Sequence, residues 1–338
     1  MTERSLGRTG LRVSRLGLGL AAVGRPGYIN LGRERDLPGE RTPEALWTRS
    51  AELLDRAWAA GVRYFDVARS YGRAEEFLAR WLDERGRPAG SCTIGSKWGY
   101  RYTASWRVEA RRHEQKELTL ERFREQLVES RSLLGDHLGL YQIHSATVEA
   151  GCLNDEPLLQ ALVEARREGH VRAIGLTTTG TEAAPVLAGA IRAEVRGEHV
   201  FDVVQATYNV LEPSLAAPLA EAHAAGLGVI VKEVHANGRL TATNPRPEDE
   251  SLRDELSRRA AGLGLSVDQL ALAFVLARPW VDVASSGAAT AAQLESHLGA
   301  AERQDLAGPE TLASLAGLDA LAESPARYWS TRAALPWS

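Results

Sequence analysis

The chain has 338 residues, of which 25% are charged and 44% are hydrophobic, and its formal net charge at pH 7 is -4. A charge this close to neutral, with acidic and basic residues interspersed, lacks the basic footprint of a nucleic-acid-binding protein. The first residues contain no apolar segment typical of a signal peptide, and no run approaches the roughly 18 apolar residues of a membrane span. We therefore expect a cytoplasmic protein with no membrane or nucleic-acid partner.

Short apolar or β-branched runs alternate with longer amphipathic segments, which is the pattern of βα units around a parallel sheet. The predicted strands span residues 16–19, 63–66, 92–96, 140–144, 171–175, 203–206, 228–231 and 281–286. The predicted helices span residues 43–60, 73–84, 118–134, 156–168, 181–195, 213–224, 252–276, with a break at Gly262 or Gly264, and 290–300. Eight such units favour a single α/β domain over residues 1–338, a (β/α)8 TIM barrel in which residues 301–338 form a C-terminal helix and tail.

Local signals mark several element boundaries. A small hydroxyl residue before a helix predicts its start, and a glycine after a helix predicts its end. The predicted starts are Thr42, Thr181 and Ser266, and the predicted ends are Gly61, Gly169 and Gly226.

Three segments outside the βα units complete the predicted barrel. The sequence SLGRTGLRVS, residues 5–14, alternates around a Thr-Gly turn, which predicts an N-terminal β-hairpin at the bottom of the barrel; a frayed terminus is the alternative. Two long connections, residues 25–41 and 98–117, follow the first and third strands. We expect both to overhang the C-terminal face of the barrel, where a substrate would bind.

Reactive side chains stand at the ends of three predicted strands. GVRYFD ends at Asp66, SCTIGSK at Lys97 and LGLYQIH at His144, while Tyr71 follows Asp66 by five residues in FDVARSYG. Barrel enzymes place their chemistry at the carboxyl ends of the strands. The sequence therefore predicts that a carboxylate, a phenol, an ammonium and an imidazole meet at one face.

Six segments occur in the order and spacing of one known family: FDVARSYGRAEE, IGSKWG, LYQIH, VRAIGL, VVQATYN and GLGVIVKE. Together they resemble the aldo-keto reductase family of NAD(P)-dependent oxidoreductases, over residues 6–300. The resemblance implies a bound NAD(P)H and a small-molecule carbonyl or alcohol substrate. It leaves the oligomeric state open.

The four strand-end residues suit this chemistry. Hydride reduction of a carbonyl produces an alkoxide, which must receive a proton while its charge is stabilised. Tyr71 is the predicted proton donor, and the Lys97 ammonium is expected to lower the pKa of its phenol from about 10. Asp66 is expected to pair with Lys97, since a buried ammonium needs a counter-charge. His144 is expected to hydrogen-bond the substrate oxygen, and the resemblance implies that the cofactor supplies the hydride.

The resemblance also implies which positions hold the cofactor. Most of them follow the first, fifth, sixth, seventh and eighth strands. They are Gly19, Leu20, Ala21, Asp66, Thr177, Thr178, Gln205, Lys232, Val234, Ala236, Asn237, Gly238, Arg239, Ser286, Gly287, Ala288, Thr290, Gln293 and His297.

Some of these positions depart from the family pattern. Thr177 and Thr178 replace a Ser-Asn pair that holds the nicotinamide amide in the family, whereas Gln205 is kept. Lys232 replaces an aromatic residue that stacks on the nicotinamide ring in many members. It either lies near the ring or the diphosphate, or it pairs with Glu233 or another carboxylate.

The choice between NAD and NADP stays open. NADP-specific members place basic residues after the eighth strand, where this chain has Gly287, Ala289 and Gln293. This difference favours NAD or dual use. Residues 235–240 resemble the segment that covers the diphosphate, however, and Arg239 within it offers a cation for the 2′-phosphate of NADP.

Aromatic residues are concentrated in the long loops and in the C-terminal tail. The predicted substrate residues are Tyr28, Trp98, Tyr100 and Trp106. Trp98 is the foremost candidate for a wall against a ring-shaped, extended or sugar-like substrate, and packing of the loops against the barrel is the alternative. The tail, with Trp329 and Trp337, either folds over the pocket or docks another subunit.

Several functions remain compatible with the sequence. Carbonyl and alcohol interconversion with NAD(P)H is the leading hypothesis. An aldose or lactol dehydrogenase is an alternative, because FDVARSYG also resembles the sugar-oxidising branch of the family, and reduction of a C=N bond is a more distant one. A regulatory subunit that binds the dinucleotide with negligible turnover would be a different class. We expect no metal site, because Cys92 and Cys152 lie far apart without a ligand spacing.

Overall fold

Short runs of apolar and β-branched residues form the strands of a closed parallel barrel in the computed structural model, which describes residues 1–303 and 308–338. The strands are β1 (Glu3–Ser5), β2 (Arg12–Ser14), β3 (Leu16–Gly19), β4 (Tyr64–Asp66), β5 (Thr93–Trp98), β6 (Tyr100–Tyr102), β7 (Glu114–Lys116), β8 (Leu138–Ala146), β9 (Ala173–Thr178), β10 (Glu194–Val195), β11 (Glu198–His199), β12 (Val203–Thr207), β13 (Gly228–Lys232) and β14 (Val283–Ser286).

Amphipathic segments between these strands form the helical layer. The helices are α1 (Arg33–Asp36), α2 (Pro43–Ala59), α3 (Ala74–Glu84), α4 (Leu120–Leu134), α5 (Glu156–Arg167), α6 (Ala183–Arg192), α7 (Ala216–Ala224), α8 (Glu250–Gly262), α9 (Val267–Leu276), α10 (Ala291–Glu302), α11 (Pro309–Ala316) and α12 (Pro325–Ala333). Within the described ranges, no single helix is long and apolar enough to cross a membrane, although the segments Pro247–Gly262 and Val267–Leu276, bent by 74°, meet the length and hydropathy criteria as a pair.

The barrel contains eight strands in the spatial order β3, β4, β5, β8, β9, β12, β13 and β14, and β14 pairs in parallel with β3 to close it. This topology confirms the predicted (β/α)8 fold. All eight predicted strands are present, but β5 and β8 extend beyond their predicted ends to Trp98 and Ala146. The extension has a consequence for the site, because it makes Trp98 a strand residue.

The N-terminal hairpin is confirmed as the plug of the barrel bottom. Strand β1 pairs antiparallel with β2, in the register of Arg4 opposite Val13. The side chains of Leu6, Leu11 and Val13 are buried against inward-facing residues of the barrel strands, namely Tyr64, Leu140, Ala173, Val203, Ile230 and Val283. The backbone of Gly228 approaches this plug so closely that a Cβ there would lie 2.6 Å from Leu6 Cγ.

Most of the predicted helix boundaries are confirmed. The side chains of Thr42 and Ser266 cap α2 and α9, and Ser266 forms a capping box with Gln269 that separates α9 from α8. The prediction for Thr181 is wrong, because α6 begins at Ala183 after Glu182, without a side-chain cap. All three glycines predicted at helix ends adopt a positive φ, as a left-handed helix end requires: Gly61, Gly169 and Gly226.

The two long loops and the tail meet over the C-terminal face. The first loop contains α1, and the second forms the hairpin β6–β7, with Tyr100 opposite Lys116. The predicted tail, residues 301–338, contains α11 and α12, while residues 304–307 lie outside the described residues. Its end pairs with the first loop through two backbone hydrogen bonds of 3.1 Å between Ser338 and Tyr28.

Leu11→Ala should lower the free energy of unfolding by about 3 kcal/mol, because it leaves a cavity between the hairpin and the barrel bottom. Urea denaturation measures this loss, and Val128→Ala, at a side chain 70% exposed on α4, is the control with an expected change below about 0.5 kcal/mol. Equal changes for the two variants would mean that the hairpin does not belong to the cooperatively folded core.

Candidate active site

The ends of neighbouring barrel strands bring the four predicted catalytic residues together. Asp66 ends β4, Lys97 and His144 lie near the ends of β5 and β8, and Tyr71 lies in the loop between β4 and α3. Asp66, Tyr71 and His144 line one cavity of about 920 Å³, while Lys97 is buried. A cavity of this size lies at the upper end of the range for small-molecule sites. We call the part lined by Asp66, Tyr71 and His144 the catalytic end.

Asp66 is the centre of the hydrogen bonds at the catalytic end. One of its carboxylate oxygens, Oδ1, accepts from Lys97 Nζ in a buried ion pair. The other, Oδ2, accepts from the Tyr64 hydroxyl and from Gln205 Nε2, each at 2.9 Å. Lys97 Nζ also donates to the backbone oxygen of Val67 at 3.0 Å. The predicted pairing of Asp66 with Lys97 is therefore present in the structure.

Tyr71 lies against two of the other predicted catalytic residues, Lys97 and His144. Lys97 Nζ is 4.8 Å from the centre of the Tyr71 ring, and the His144 ring meets it edge-on at 5.6 Å. Burial, followed by the Asp66 carboxylate, raises the pKa of Tyr71 well above 10. Burial and the Asp66 carboxylate therefore oppose the lowering expected from Lys97.

His144 is a neutral acceptor or donor directed at the cavity. Burial, then the positive charges of Lys97 and Lys232, hold its pKa well below 6.5. Its Nδ1 atom is buried and has no hydrogen-bond partner among the described residues. A neutral imidazole that lines a cavity can hydrogen-bond a substrate oxygen.

An aromatic and cationic wall closes one side of the catalytic end. The Arg25 guanidinium lies 5.1 Å from the ring centres of both Tyr28 and Trp337, and 5.3 Å from that of Tyr71. Arg25 also donates to the backbone oxygen of Ser70, at 2.9 Å, and to the Glu114 carboxylate. Trp337 brings the C-terminal tail into this wall, so the tail folds over the cavity.

Two of the four predicted substrate residues line the cavity. Tyr28 and Tyr100 do so, and the Tyr100 ring meets His144 edge-on at 4.9 Å. The prediction for Trp98 is wrong, because side chains alternate along β5 and Lys97 faces inward, so Trp98 packs among helical residues against Phe123.

Trp106 also lies outside the cavity lining. Its indole nitrogen donates to the backbone oxygen of Arg41 at 2.8 Å, and its ring packs edge-on against Phe77. The alternative interpretation, in which the aromatic residue packs a long loop against the barrel, therefore describes Trp106.

The structure divides the predicted cofactor positions into two groups. The following line the cavity: Gly19, Ala21, Asp66, Gln205, Lys232, Val234, Asn237, Gly238, Ser286, Gly287, Thr290, Gln293 and His297. The following lie outside its lining: Leu20, Thr177, Thr178, Ala236, Arg239 and Ala288. Leu20 lies between two lining residues, Gly19 and Ala21, and its side chain is buried in the core, as is that of Ala288.

Arg239 is directed away from the cavity. Its guanidinium binds the carboxylates of Asp249 and Glu323 through four contacts of 2.9 Å. Because these two carboxylates hold the buried Arg239 guanidinium, it does not reach a 2′-phosphate, and that expectation is wrong. Thr177 is likewise used structurally, since its Oγ1 accepts from the Ser145 backbone nitrogen at 2.7 Å.

Lys232 pairs with Glu233, as one of its two interpretations predicts, and its proximity to the cofactor stays a prediction. It lines the cavity, and its Nζ lies 3.1 Å from Thr207 Oγ1 and 3.8 Å from Glu233 Oε1. Burial lowers the pKa of Lys232 to about 8, with Glu233 opposing that effect. Despite burial, the positive charges of Arg332 and Lys232 lower the pKa of Glu233 to about 2.

The opposite part of the cavity, which we call the histidine end, is lined by His235, Asp268 and His297. The two imidazoles stack at 4.3 Å with an interplanar angle of 12°, and burial lowers the pKa of both. His297 Nδ1 is 2.8 Å from Ser286 Oγ, and the Asp268 carboxylate accepts from Ser296 Oγ at 2.6 Å.

Sequence reasoning missed the residues that loops and tail bring to the cavity. Arg25, Asp36, Glu114, Asp268 and Arg332 all line it, but none lies beside a predicted strand end. Position in the two long loops was a usable signal for Arg25, Asp36 and Glu114. No local signal distinguishes Asp268 or Arg332 from other charged residues on helices.

The described residues fit a nicotinamide dinucleotide. The cavity runs from the catalytic end to the N-terminus of α10, where Thr290 caps the helix and an anion is favoured. Two lining residues each carry a buried polar atom without a hydrogen-bond partner in the described ranges, His144 Nδ1 and Asn237 Oδ1.

Comparisons with known proteins agree with this site. The model of the Aldo/keto reductase family matches residues 37–308. D-threo-aldose 1-dehydrogenase of a Pseudomonas species is 26% identical over 276 residues, which cover 75% of this chain and 77% of that protein. L-galactose dehydrogenase of Arabidopsis thaliana is 24% identical over 327 residues, which cover 92% of each protein.

Among solved structures, the holo form of the aldo-keto reductase AKR11C1 from Bacillus halodurans has a TM-score of 0.75 at 21% sequence identity. The comparison covers 96% of this chain and 97% of that one, and it supports the fold alone. The family model spans most of the chain, including β4, β5 and β8 with the predicted catalytic residues. This chain therefore belongs to the aldo/keto reductase family of oxidoreductases.

Proposed function

We propose that the protein interconverts a carbonyl and an alcohol by hydride transfer with NAD(P)H, with Tyr71 as general acid and base. The observation that carries the proposal is the meeting of Tyr71, His144 and the Asp66–Lys97 pair at one end of a dinucleotide-sized cavity. The bound cofactor would supply and accept the hydride. Metal ligands are not part of the proposal, since the described residues contain no group of three or more His, Cys, Asp or Glu side chains arranged to hold a metal ion.

Each of the four residues would have its own role in the reaction. His144, which lines the cavity, is the candidate to hold the substrate oxygen beside the Tyr71 hydroxyl. Tyr71 would donate its proton to that oxygen during reduction and would recover it during oxidation. Lys97 would offset the phenolate charge, and Asp66 would keep Lys97 in place. In reduction the raised pKa of Tyr71 suits a proton donor, whereas in oxidation Tyr71 would act as its phenolate.

Oxidation of an aldose at its C1 hydroxyl is the substrate chemistry that we favour within this reaction. Two relatives carry the names D-threo-aldose 1-dehydrogenase and L-galactose dehydrogenase. The catalytic end offers aromatic rings from Tyr28 and Tyr100 together with polar groups from Glu114 and Ser145. Aromatic faces and several hydrogen-bonding groups in one pocket are suited to a polyhydroxyl ring.

NAD(H) is the dinucleotide that we propose. Two carboxylates lie where the cavity meets α10: Asp36 accepts from Gln293 Nε2 at 2.8 Å, and Asp268 lies 3.7 Å from His297 Nε2. The arginine that lines this part of the cavity, Arg35, is 58% exposed at its side chain and pairs with Asp36 at 3.5 Å. Carboxylates repel a 2′-phosphate but can accept hydrogen bonds from ribose hydroxyls.

Tyr71→Phe should lower kcat by about 10³-fold and change NADH affinity by less than about twofold, since it removes the proton donor and little else. Steady-state assays of aldose oxidation and aldehyde reduction measure kcat, and quenching of intrinsic Trp fluorescence measures affinity. Tyr102→Phe removes the same hydroxyl from a tyrosine outside the cavity lining and is the control. Unchanged turnover in Tyr71→Phe would exclude Tyr71 as the acid. Absence of turnover on every substrate, with tight cofactor binding, would favour a regulatory subunit.

NADH should bind at least about tenfold more tightly than NADPH, because the Asp36 and Asp268 carboxylates oppose the added phosphate. Fluorescence titration with each dinucleotide measures the ratio of NADPH to NADH dissociation constants. Asp36→Asn should narrow the ratio by strengthening NADPH binding, whereas Asp83→Asn at an exposed position of α3 should leave it unchanged. Equal or tighter binding of NADPH to the unmodified protein would contradict the assignment.

A further inference from the structure

Two of the cations at the catalytic end are each balanced by their own carboxylate. Lys97 pairs with Asp66, and Arg25 pairs with Glu114, whose side chain is directed into the same wall. Each pair contributes no net charge to the space in front of Tyr71. The electrostatic character of this space therefore depends on the remaining charged groups of its lining.

The remaining charged residues beside this space leave one positive charge in excess. They are Lys232, Glu233 and Arg332. Arg332 of α12 donates to the Glu233 carboxylate at 2.9 Å, and Lys232 Nζ lies 3.8 Å from the same carboxylate. One carboxylate thus serves two cations. Lys232 is also held by Thr207 Oγ1, at 3.1 Å, and only 19% of its side chain is exposed, so its charge remains in the cavity.

Lys232 occupies the side of the barrel mouth that faces the catalytic residues. It ends β13 in register with Thr207 of β12, whereas Asp66, Lys97 and His144 come from β4, β5 and β8 on the other side. A carbonyl held by Tyr71 and His144 must meet its hydride partner at about 3 to 3.5 Å. Strands β12, β13 and β14 lie opposite β4, β5 and β8 in the barrel, so a partner that faces the carbonyl from the other side would lie beside Lys232.

We propose that Lys232 discriminates between the two redox states of the nicotinamide cofactor, disfavouring the cationic oxidised ring relative to the neutral reduced one. This inference rests on the proposed function, since it requires a nicotinamide dinucleotide in the cavity. Its physical basis is repulsion between two positive charges in a space that excludes most water. The two forms share the same diphosphate and adenosine, so the discrimination arises at the ring alone.

This charge biases the reaction toward oxidation of the alcohol. In that direction the C–H bond of the alcohol carbon breaks, and both of its electrons move with the hydride to the ring, which loses its positive charge. The hydroxyl proton goes to Tyr71, which enters this step as the phenolate, as the C=O bond forms. Lys232 favours the products of this step, because it no longer faces a cationic ring.

Lys232→Met should therefore tighten NAD⁺ binding by about tenfold and leave the affinities for NADH and ADP-ribose within about twofold. Fluorescence or calorimetric titration of the full chain with the three ligands at pH 7 measures these constants. Lys232→Arg keeps the charge and should retain the original ratio of NAD⁺ to NADH affinity. Lys116→Met removes an equal charge outside the cavity lining and should also retain it.

Other outcomes overturn the inference. Equal weakening of all three ligands in Lys232→Met would place Lys232 at the diphosphate, and no change in any of them would place it away from the cofactor. If the unmodified chain binds none of the three ligands, ADP-ribose, NAD⁺ and NADH, the proposed function itself fails. That result is distinct, because it is obtained before any substitution is made.

The ratio of affinities should also depend on pH. The pKa of Lys232 is about 8, so its ammonium disfavours NAD⁺ below that pH, and NAD⁺ affinity should rise as the pH increases from 7 to 9. The other groups facing it titrate elsewhere: the pKa of His144 is well below 6.5, that of Glu233 is about 2 and that of Tyr71 is well above 10. The charged pairs of Asp66 with Lys97 and of Glu233 with Arg332 complete its surroundings. If NAD⁺ affinity rises with pH by the same amount in Lys232→Met, the inference is contradicted.

Discussion

A carboxylate and an ammonium, Asp66 and Lys97, are both buried at the top of the barrel, and either charge alone would be costly there. Their ion pair removes that cost only because the remaining acceptor positions of Asp66 are also occupied, by the Tyr64 hydroxyl and by Gln205. These contacts join β4, β5 and β12 across the barrel mouth. Substitution of one member would leave an unpaired charge, so the positions of Tyr71 and His144 above the pair depend on it.

A second network of buried charges, centred on Glu233, holds the outer part of the cavity together, as the contacts of Asp66 hold the inner part. Glu233, with a positive φ of 55°, follows β13 and accepts three hydrogen bonds from the Arg332 guanidinium of the C-terminal helix α12. This contact fixes the tail, which then places Trp337 over Arg25. The wall of the catalytic end and the excess charge of Lys232 are therefore consequences of one buried carboxylate.

The sequence predicted the residues whose positions follow from strand periodicity. Asp66, Lys97 and His144 end parallel strands, and parallel strands in a barrel bring their carboxyl ends to one face whatever the loops do. The same periodicity excludes Trp98, because adjacent residues of a strand face opposite sides and Lys97 takes the inner one. Its strand was predicted two residues too short, which is why Trp98 was assigned to the loop.

The barrel, its hairpin plug and the meeting of Asp66, Lys97 and His144 at one face were thus determined by sequence alone, through local periodicity and turn chemistry. Only the tertiary structure decided which charges meet: that Arg239 binds Asp249 and Glu323 rather than the cavity, and that Lys232 shares Glu233 with Arg332. Partners 84 and 99 residues apart in the chain carry no mutual signal in a single sequence. Charge pairing acts through space, and its outcome depends on how loops and tail pack over the barrel.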